Sequence, residues 1–268
     1  MYKMIVTDLD DTLLNSEGKI SEKDKDAIIR AQEAGVKFVL ASGRPTYAMR
    51  DLAKELRLDE FKSYILSYNG AIITQCDTGV DISDTSLNKE EIHLLHDMSK
   101  KHDVHIITYL DDKVVSETES EYIDVEVKLT GMEHRVVKCF KSAVDRDAVK
   151  CIMLGEPEYL KTVEHKLKEK LNDRFSIAIS KPFFLEITKL GIDKGASLLK
   201  LAEILDIKTD EIIAVGDSYN DVTMLKVAGL SVSVANGKPE IKDMVQYITS
   251  SNEKNGMSEV IDKFIFGK

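Results

Sequence analysis

Aspartates recur in this sequence where apolar runs end. The first group, Asp8-Leu9-Asp10-Asp11-Thr12, directly follows the run MIVT. Asp8 and Asp10 stand two apart, and in a bend two carboxylates at that spacing can face one hard cation such as Mg²⁺. A carboxylate oxygen placed there can attack phosphorus. A second carboxylate can protonate the leaving oxygen and later activate water. Gly216-Asp217-Ser218-Tyr219-Asn220-Asp221 repeats the arrangement after the run EIIAV. Asp217 and Asp221 are four apart, so a helix starting there would put both on one face. Asp217 then reads as a direct metal ligand, and Asp221 as the holder of a metal-bound water or of Lys194. Acidic turns also cap helices and fill ordinary loops. Two of them after two buried runs are what point to chemistry.

Two further places suit an anion. Ser42-Gly43-Arg44 offers a hydroxyl and a bare glycine amide beside a helix start, a ready anion site. Lys194, in GIDKGAS, stands at the beginning of a helical stretch, where the macrodipole disfavours a cation. A phosphate, or the carboxylate of Asp8, would justify it. All six histidines (His93, His96, His102, His105, His134 and His165) fall between residues 93 and 165, so none is near the acidic turns in sequence. Acid–base work there falls to carboxylates. His93 and His96 at i, i+3 read as a packed or solvated helix face rather than a metal site.

These residues need elements to hold them. Residues 4–8, 36–40 and 64–67 read as short buried strands, and 22–34 and 46–57 as helices, with Ser21 as N-cap and Gly35 as the stop. Asn69-Gly70 between two β-rich runs is a hairpin signal. The same strand–helix rhythm returns at 194–205, 211–215, 219–228 and 230–234, followed by a short helix near 239–244, a strand at 246–249 and a terminal helix from about 257. The rhythm predicts a parallel α/β sheet, whose ligands bind beyond the carboxyl ends of the strands. Between about 83 and 189 the pattern differs. Two helices, 89–101 and 157–171, alternate with strands 104–109, 113–117, 149–154, 175–180 and 183–188, an α+β insertion. The boundaries predict a core of residues 1–82 with 190–268 and an inserted domain of 83–189.

Composition narrows the class. The 268 residues are 43% hydrophobic and 31% charged, an ordinary globular balance. Lys plus Arg is 37 and Asp plus Glu is 47, a formal net charge of −10, which argues against a nucleic-acid partner. No apolar run approaches the ~18 residues of a membrane span, and the N-terminal apolar stretch is too short for a signal-peptide core. These features suggest a cytoplasmic protein. Cys76, Cys139 and Cys151 are odd in number and lack CxxC spacing, as free thiols in a reducing compartment would be.

Taken together, DLDDT (8–12), ASGR (41–44), Lys194 in DKG and GDSYND (216–221) resemble the four ordered motifs of the haloacid dehalogenase superfamily of phosphotransferases. The large insertion between the second and third motifs, SYNGA (67–71) and the terminal SNEKNGMSEVI resemble its Cof-type branch, subfamily IIB. The resemblance spans essentially the whole chain and implies a Rossmann-like parallel-sheet core with an inserted α+β C2-type cap. It implies Asp8 as nucleophile and Mg²⁺ ligand, and Asp10 as general acid/base with its backbone carbonyl on the metal. Asp217 would complete the ligation, with Asp221 in support and Thr12 fixing the turn. Ser42, Lys194, Asn220 and the amides of Leu9 and Gly43 would hold the phosphoryl oxygens. Arg44, Asn69 and Glu186 are candidates for specificity. Ser218 stands where many members carry glycine.

Branches that dehalogenate carbon lack the second aspartate, so Asp10 favours phosphorus chemistry. The expectation is a Mg²⁺-dependent phosphatase of small phosphorylated metabolites, sugar phosphates foremost, acting through an aspartyl phosphate under a closing cap. One competitor is a phosphomannomutase-like enzyme that returns the phosphoryl group. Others are a receiver-like module phosphorylated on Asp8, which needs only ~120 residues and no cap, and a silent phosphate-responsive binder.

Overall fold

A computed structural model describes residues 1–268. The chain starts with β1 (Met4–Thr7), α1 (Glu22–Glu33), β2 (Lys37–Ala41), α2 (Arg50–Glu55), β3 (Tyr64–Ser67), β4 (Ile72–Gln75) and β5 (Asp81–Asp84). It continues through α3 (Lys89–Lys101), β6 (His105–Leu110), β7 (Lys113–Ser116), α4 (Glu121–Thr130), β8 (Glu133–Val136) and α5 (Phe140–Ala143). β9 (Lys150–Leu154), α6 (Pro157–Leu171), β10 (Phe175–Lys181) and β11 (Phe184–Lys189) follow. It ends with α7 (Lys194–Ile204), β12 (Ile212–Gly216), α8 (Val222–Val227), β13 (Leu230–Val234), α9 (Pro239–Lys242), β14 (Tyr247–Thr249) and α10 (Gly256–Phe264). Contacts divide it into two units, Met1–Ser83 with Asp193–Lys268, and Asp84–Ile192.

The first unit holds an eight-stranded sheet in the order β14-β13-β12-β1-β2-β3-β4-β5. Strands β14 through β3 run parallel, and β4 returns antiparallel to β3 through the predicted Asn69-Gly70 turn. Alternation along each strand sends side chains to opposite faces. Ile5, Phe38, Leu40, Ile213 and Val215 pack with Ala27 and Ile28 of α1 and Val260 and Ile261 of α10. Met4, Val6, Val39, Ala41, Ile212 and Ala214 pack on the other face with Leu198 and Leu201 of α7 and Met224 and Leu225 of α8. Two covered faces explain why these strands read as unbroken apolar runs. Thr7 lies level with both Val215 and Leu40. The segments beginning at Asp8, Asp217 and Ser42 therefore leave the carboxyl ends of neighbouring strands at the same end of the sheet.

The second unit is a six-stranded sheet, β10-β11-β9-β6-β7-β8, antiparallel except for β7 with β8. Ile106, Met153, Leu185 and Ile187 form its core with Ile92 and Leu95 of α3 and Leu160 and Val163 of α6. The Asn88–Glu91 capping box starts α3, and Pro157 opens α6. The sequence pattern predicts only these two helices here; α4, α5 and β8 are additional. The reason is period: Ile123, Val125, Val127 and Leu129 alternate as in a strand, and only Ile123 and Glu126 of α4 are buried. Its punctuation is nonetheless in the sequence, Ser120 accepting from the Ile123 N–H and Gly131 closing it at φ 68°. No helix is long and apolar enough to cross a membrane.

Glu117 ties this unit together. Its carboxylate accepts the Phe140 N–H at 2.7 Å and lies 2.7 Å from Lys100 Nζ. Burial works to raise its pKa, but Lys100 and the amide outweigh it and bring it from 4.5 to about 2. A carboxylate depressed on folding contributes stability that is present above its unfolded pKa and lost as pH falls through the folded one. Glu117→Gln is expected to cost about 1–2 kcal/mol at pH 7. The gap should close as pH falls from 4.5 toward 2. Urea titrations of both proteins at pH 7 and pH 3 check this; a gap independent of pH refutes it.

Candidate active site

Asp8 leaves β1 with its N–H donated to Val215 O at 2.9 Å and its side chain almost wholly buried. Lys194 opens α7, whose start is set by Asp193 accepting the Ala196 N–H at 2.9 Å. The lysine is 0% exposed. Its Nζ donates to Asp8 Oδ1 at 2.5 Å and to Asp221 Oδ1 at 2.6 Å. Next to it, Gly195 donates its N–H to Thr223 Oγ1 at 3.0 Å, and a Cβ there would lie 2.6 Å from the Thr223 carbonyl. Thr12 Oγ1 donates to Asp217 Oδ1 at 2.7 Å, joining the two acidic turns.

Asp217 and Asp221 meet differently from the one-face reading. Asp217 precedes any helix, Ser218 is extended, and Tyr219–Asp221 is one 3₁₀ turn. The Asp221 carboxylate folds back instead, its Oδ2 accepting the N–H groups of Asp217 and Ser218, each at 3.0 Å. Those amides would otherwise be unsatisfied as the chain turns off the strand, so the carboxylate caps them. The fold-back needs Gly216, where a Cβ would sit 2.5 Å from Asp221 Cβ. Gly216→Ala is expected to destabilise the protein by about 1–3 kcal/mol through this overlap. Denaturant titration of the variant measures it; wild-type stability would show that Asp221 can move at no cost.

The electrostatics are lopsided. Ligand atoms of Asp8, Asp217 and Asp221 lie within 4.8 Å of one another, with Lys194 as the cation among them. Burial, then the neighbouring carboxylates, push Asp8 up to about 7 against the pull of Lys194. Burial also raises Asp217. Burial opposes the charge on Lys194, but Asp8 and Asp221 outweigh it and raise its pKa. Three buried carboxylates facing one ammonium leave excess negative charge, and this donor set fits a hard divalent cation with oxygen ligands. Asp221 spends both oxygens on Lys194 and the two amides, whereas Asp8 and Asp217 each commit one, to Lys194 and to Thr12.

The remaining candidates surround this cluster unequally. Asp10 is held in a bidentate fork by Arg44, whose Nε is 3.0 Å from Oδ2 and whose terminal nitrogen is 2.5 Å from Oδ1. Ser42 is buried and its Oγ accepts the Arg44 N–H at 3.1 Å. The Leu9 side chain is buried in the core, so only its backbone can face a ligand. Asn69 accepts from Asn220 Nδ2 at 3.2 Å and would lie 3.3 Å from a Cβ on Gly43. Tyr68, Asn69 and Gly70 all have positive φ, at 52°, 56° and 95°. Non-glycine residues there carry strain, held by Tyr68 N–H to Arg44 O, Asn69 N–H to Ser42 O and Ser197 Oγ to Gly70 O. Glu186 belongs to the second unit and pairs with Lys150 at 3.2 Å. Sequence reasoning missed Thr223, Asn236 and Asn252 as partners of these turns; the signals were the Asn236-Gly237 turn after β13 and the SNEKNG run.

Residues 5–261 match the family described as haloacid dehalogenase-like hydrolases. The Bacillus subtilis protein named 5-amino-6-(5-phospho-D-ribitylamino)uracil phosphatase YcsE is 30% identical over 263 residues, covering 98% of this chain and 96% of its own. A crystal structure of a haloacid dehalogenase-like hydrolase from Bacteroides thetaiotaomicron is similar with TM-score 0.91 and 37% identity, over 98% of this chain and 99% of that one. TM0651 from Thermotoga maritima is similar with TM-score 0.89 and 30% identity, over 98% of both.

Proposed function

This chain belongs to the haloacid dehalogenase-like hydrolases and is a phosphoric monoester hydrolase; from that premise we propose that it hydrolyses small phosphorylated metabolites, sugar and polyol phosphates among them, through a phosphoryl-aspartate on Asp8 with Mg²⁺ as cofactor. The observation that carries this reading is the buried cluster in which Lys194 bridges Asp8 and Asp221 while one oxygen of Asp8 and one of Asp217 remain uncommitted. The polyol preference is supported by the name of YcsE, whose substrate carries its phosphate on a ribityl chain.

In this mechanism the uncommitted Asp8 oxygen attacks phosphorus and the ester P–O bond breaks. Asp10 gives its proton to the departing alkoxide. Asp10 then takes a proton from water, whose oxygen attacks the phosphoryl group, releasing inorganic phosphate and restoring Asp8. Ser42, Asn220, Lys194 and the Leu9 and Gly43 amides hold the phosphoryl oxygens, so that little reorganisation is left for the transition state. Asp8, Asp217 and the Asp10 carbonyl would hold Mg²⁺, which when bound offsets the repulsion between carboxylate and phosphoryl oxygens. Asp10 must turn from the Arg44 fork to reach the leaving oxygen. Residues 84–192 would select the leaving group, with Glu186 as one candidate.

Phosphate release from a panel of sugar phosphates, nucleotides and cofactor phosphates tests the proposal. Turnover is expected with Mg²⁺ and not with chelator, ranked by kcat/KM toward polyol-type monoesters. Folded protein that releases no phosphate from any of them would overturn it.

A further inference from the structure

The C-terminal run SNEKNG has no part in the chemistry above, yet the chain folds it against the turn that carries Asp10. Asp11, the next residue, sits in the left-handed region at φ 60°. Asn236 Nδ2 donates to the Asp11 carbonyl at 2.7 Å. Asn236 Oδ1 in turn accepts the Asn252 N–H at 3.1 Å. The Asn252 side chain, itself buried, donates Nδ2 to Leu14 O at 2.8 Å, the far end of the same turn. Glu253 takes the Ser16 N–H at 2.6 Å just beyond.

The loop that carries Asn236 also touches the second acidic turn. Lys238 donates its N–H to Asp217 O at 3.0 Å. Between Asn236 and Lys238 lies Gly237, where a Cβ would come within 2.5 Å of Ser233 Oγ and 3.4 Å of Asp217 Cα. The loop is thus pressed against Asp217 on one side and hydrogen-bonded to the Asp10–Asp11 turn on the other. Asn236 uses both the donor and the acceptor of its amide, and neither Asp nor Leu supplies both; Asn252 uses its side-chain donor and its backbone N–H.

We propose that Asn236 and Asn252 form a two-amide clamp that holds the Asp10–Leu14 turn in register with Asp217, making them positioning residues for the reaction. The proposal rests on the phosphatase reading for its effect on rate, but the clamp itself does not. An unsupported left-handed aspartate relaxes toward ordinary backbone geometry. Such relaxation would move Asp10 away from the leaving oxygen without touching the residues that bind the phosphoryl group. The cost should therefore fall on kcat and leave KM in place.

The experiment compares the full-length wild type with Asn236→Ala, Asn252→Ala and the double variant. Asn236 is exposed, so its variant is expected to fold as the wild type does, and a thermal melt checks this. With p-nitrophenyl phosphate and Mg²⁺, kcat should fall about tenfold in Asn236→Ala with KM unchanged, the loss of the hydrogen bond that fixes the Asp11 carbonyl expressed as a rate. The double variant should lose little more than the worse single one, because both links belong to one chain of bonds. Hydrogen exchange gives a reading independent of turnover. The Thr12, Leu13 and Leu14 N–H groups, all donated to Leu9 O, should exchange about tenfold faster in Asn236→Ala. If the wild type hydrolyses nothing while exchange accelerates, the phosphatase reading fails and the clamp stands. Unchanged exchange, or unchanged kcat in an active enzyme, overturns the clamp. A lowered melting temperature with kcat intact does so as well, since it marks a merely structural pair.

Discussion

Asp8→Asn is expected to abolish turnover, by about 10³-fold or more, while leaving the folded protein at least as stable as the wild type at neutral pH. The activity half follows from chemistry: an amide oxygen on residue 8 is a poor nucleophile and forms no hydrolysable phosphoryl-aspartate. The stability half follows from burial. Desolvation lifts the Asp8 carboxyl from 3.8 to about 7 in spite of Lys194. A raised carboxyl means that the folded state binds the proton more tightly than the unfolded one, so stability falls as pH rises between those two values. The penalty is absent below 3.8 and complete above about 7. An asparagine never ionises and escapes it, while its Oδ1 can still accept from Lys194. Urea titrations in chelator at pH 5 and pH 8 should show the variant gaining on the wild type at the higher pH. Phosphate release by the variant at anything near the wild-type rate would sink the mechanism. A variant that loses ground as pH rises would sink the electrostatic account. The result would place residue 8 among sites where function is kept at the expense of stability.

How far such a site can be read from sequence depends on whether its partners are local. The parallel core was legible because β1, β2, β12 and β13 are buried on both faces and carry unbroken apolar runs between acidic or glycine turns. α3 and α6 were legible to the residue because the Asn88–Glu91 box and Pro157 mark their starts. α4 was not, since its apolar residues Ile123, Val125, Val127 and Leu129 alternate with the period of a strand, and β5, the edge strand Asp81–Asp84, is too polar to read as a strand. At the site, residue types pointed to Asp8, Lys194, Asp217 and Asp221, but spacing misjudged how the last two meet. An i, i+4 interval implies a shared helix face only if the helix has begun; here the capping of two backbone amides decides the geometry. The fork between Arg44 and Asp10, and the Asn236–Asn252 relay, join residues 34 and 16 positions apart. Pairings of that range follow from topology, and no local pattern announces them.

Lys194→Met is the substitution with the largest expected effect on stability. The methionine matches the lysine stem in length and would fill the same fully buried slot. What it removes is the ammonium that answers two carboxylates at 2.5 Å and 2.6 Å. Breaking a buried ion pair by deleting one partner typically costs about 3–5 kcal/mol, because the other partner stays buried and unanswered. Here two carboxylates are left, and they face Asp217 as a third. They will bind protons rather than remain charged, so the folded variant takes up protons that the unfolded chain does not. Its deficit against the wild type should therefore be greatest at pH 8 and shrink toward pH 5. Turnover should fall about 10²–10³-fold, since Lys194 is also the fixed positive charge at the phosphoryl group. Adding Asp221→Asn separates the two roles. The amide can keep its oxygen on the Asp217 and Ser218 N–H groups while shedding the unanswered charge, so Lys194→Met/Asp221→Asn should regain much of the lost stability and none of the rate. Recovery of both would mean that Lys194 serves only to neutralise Asp221. Recovery of neither would mean that the cost lies in packing rather than charge. Stability regained without rate would identify the one ammonium as meeting two demands, which is why a lysine can stand at a helix N-terminus where the dipole opposes it.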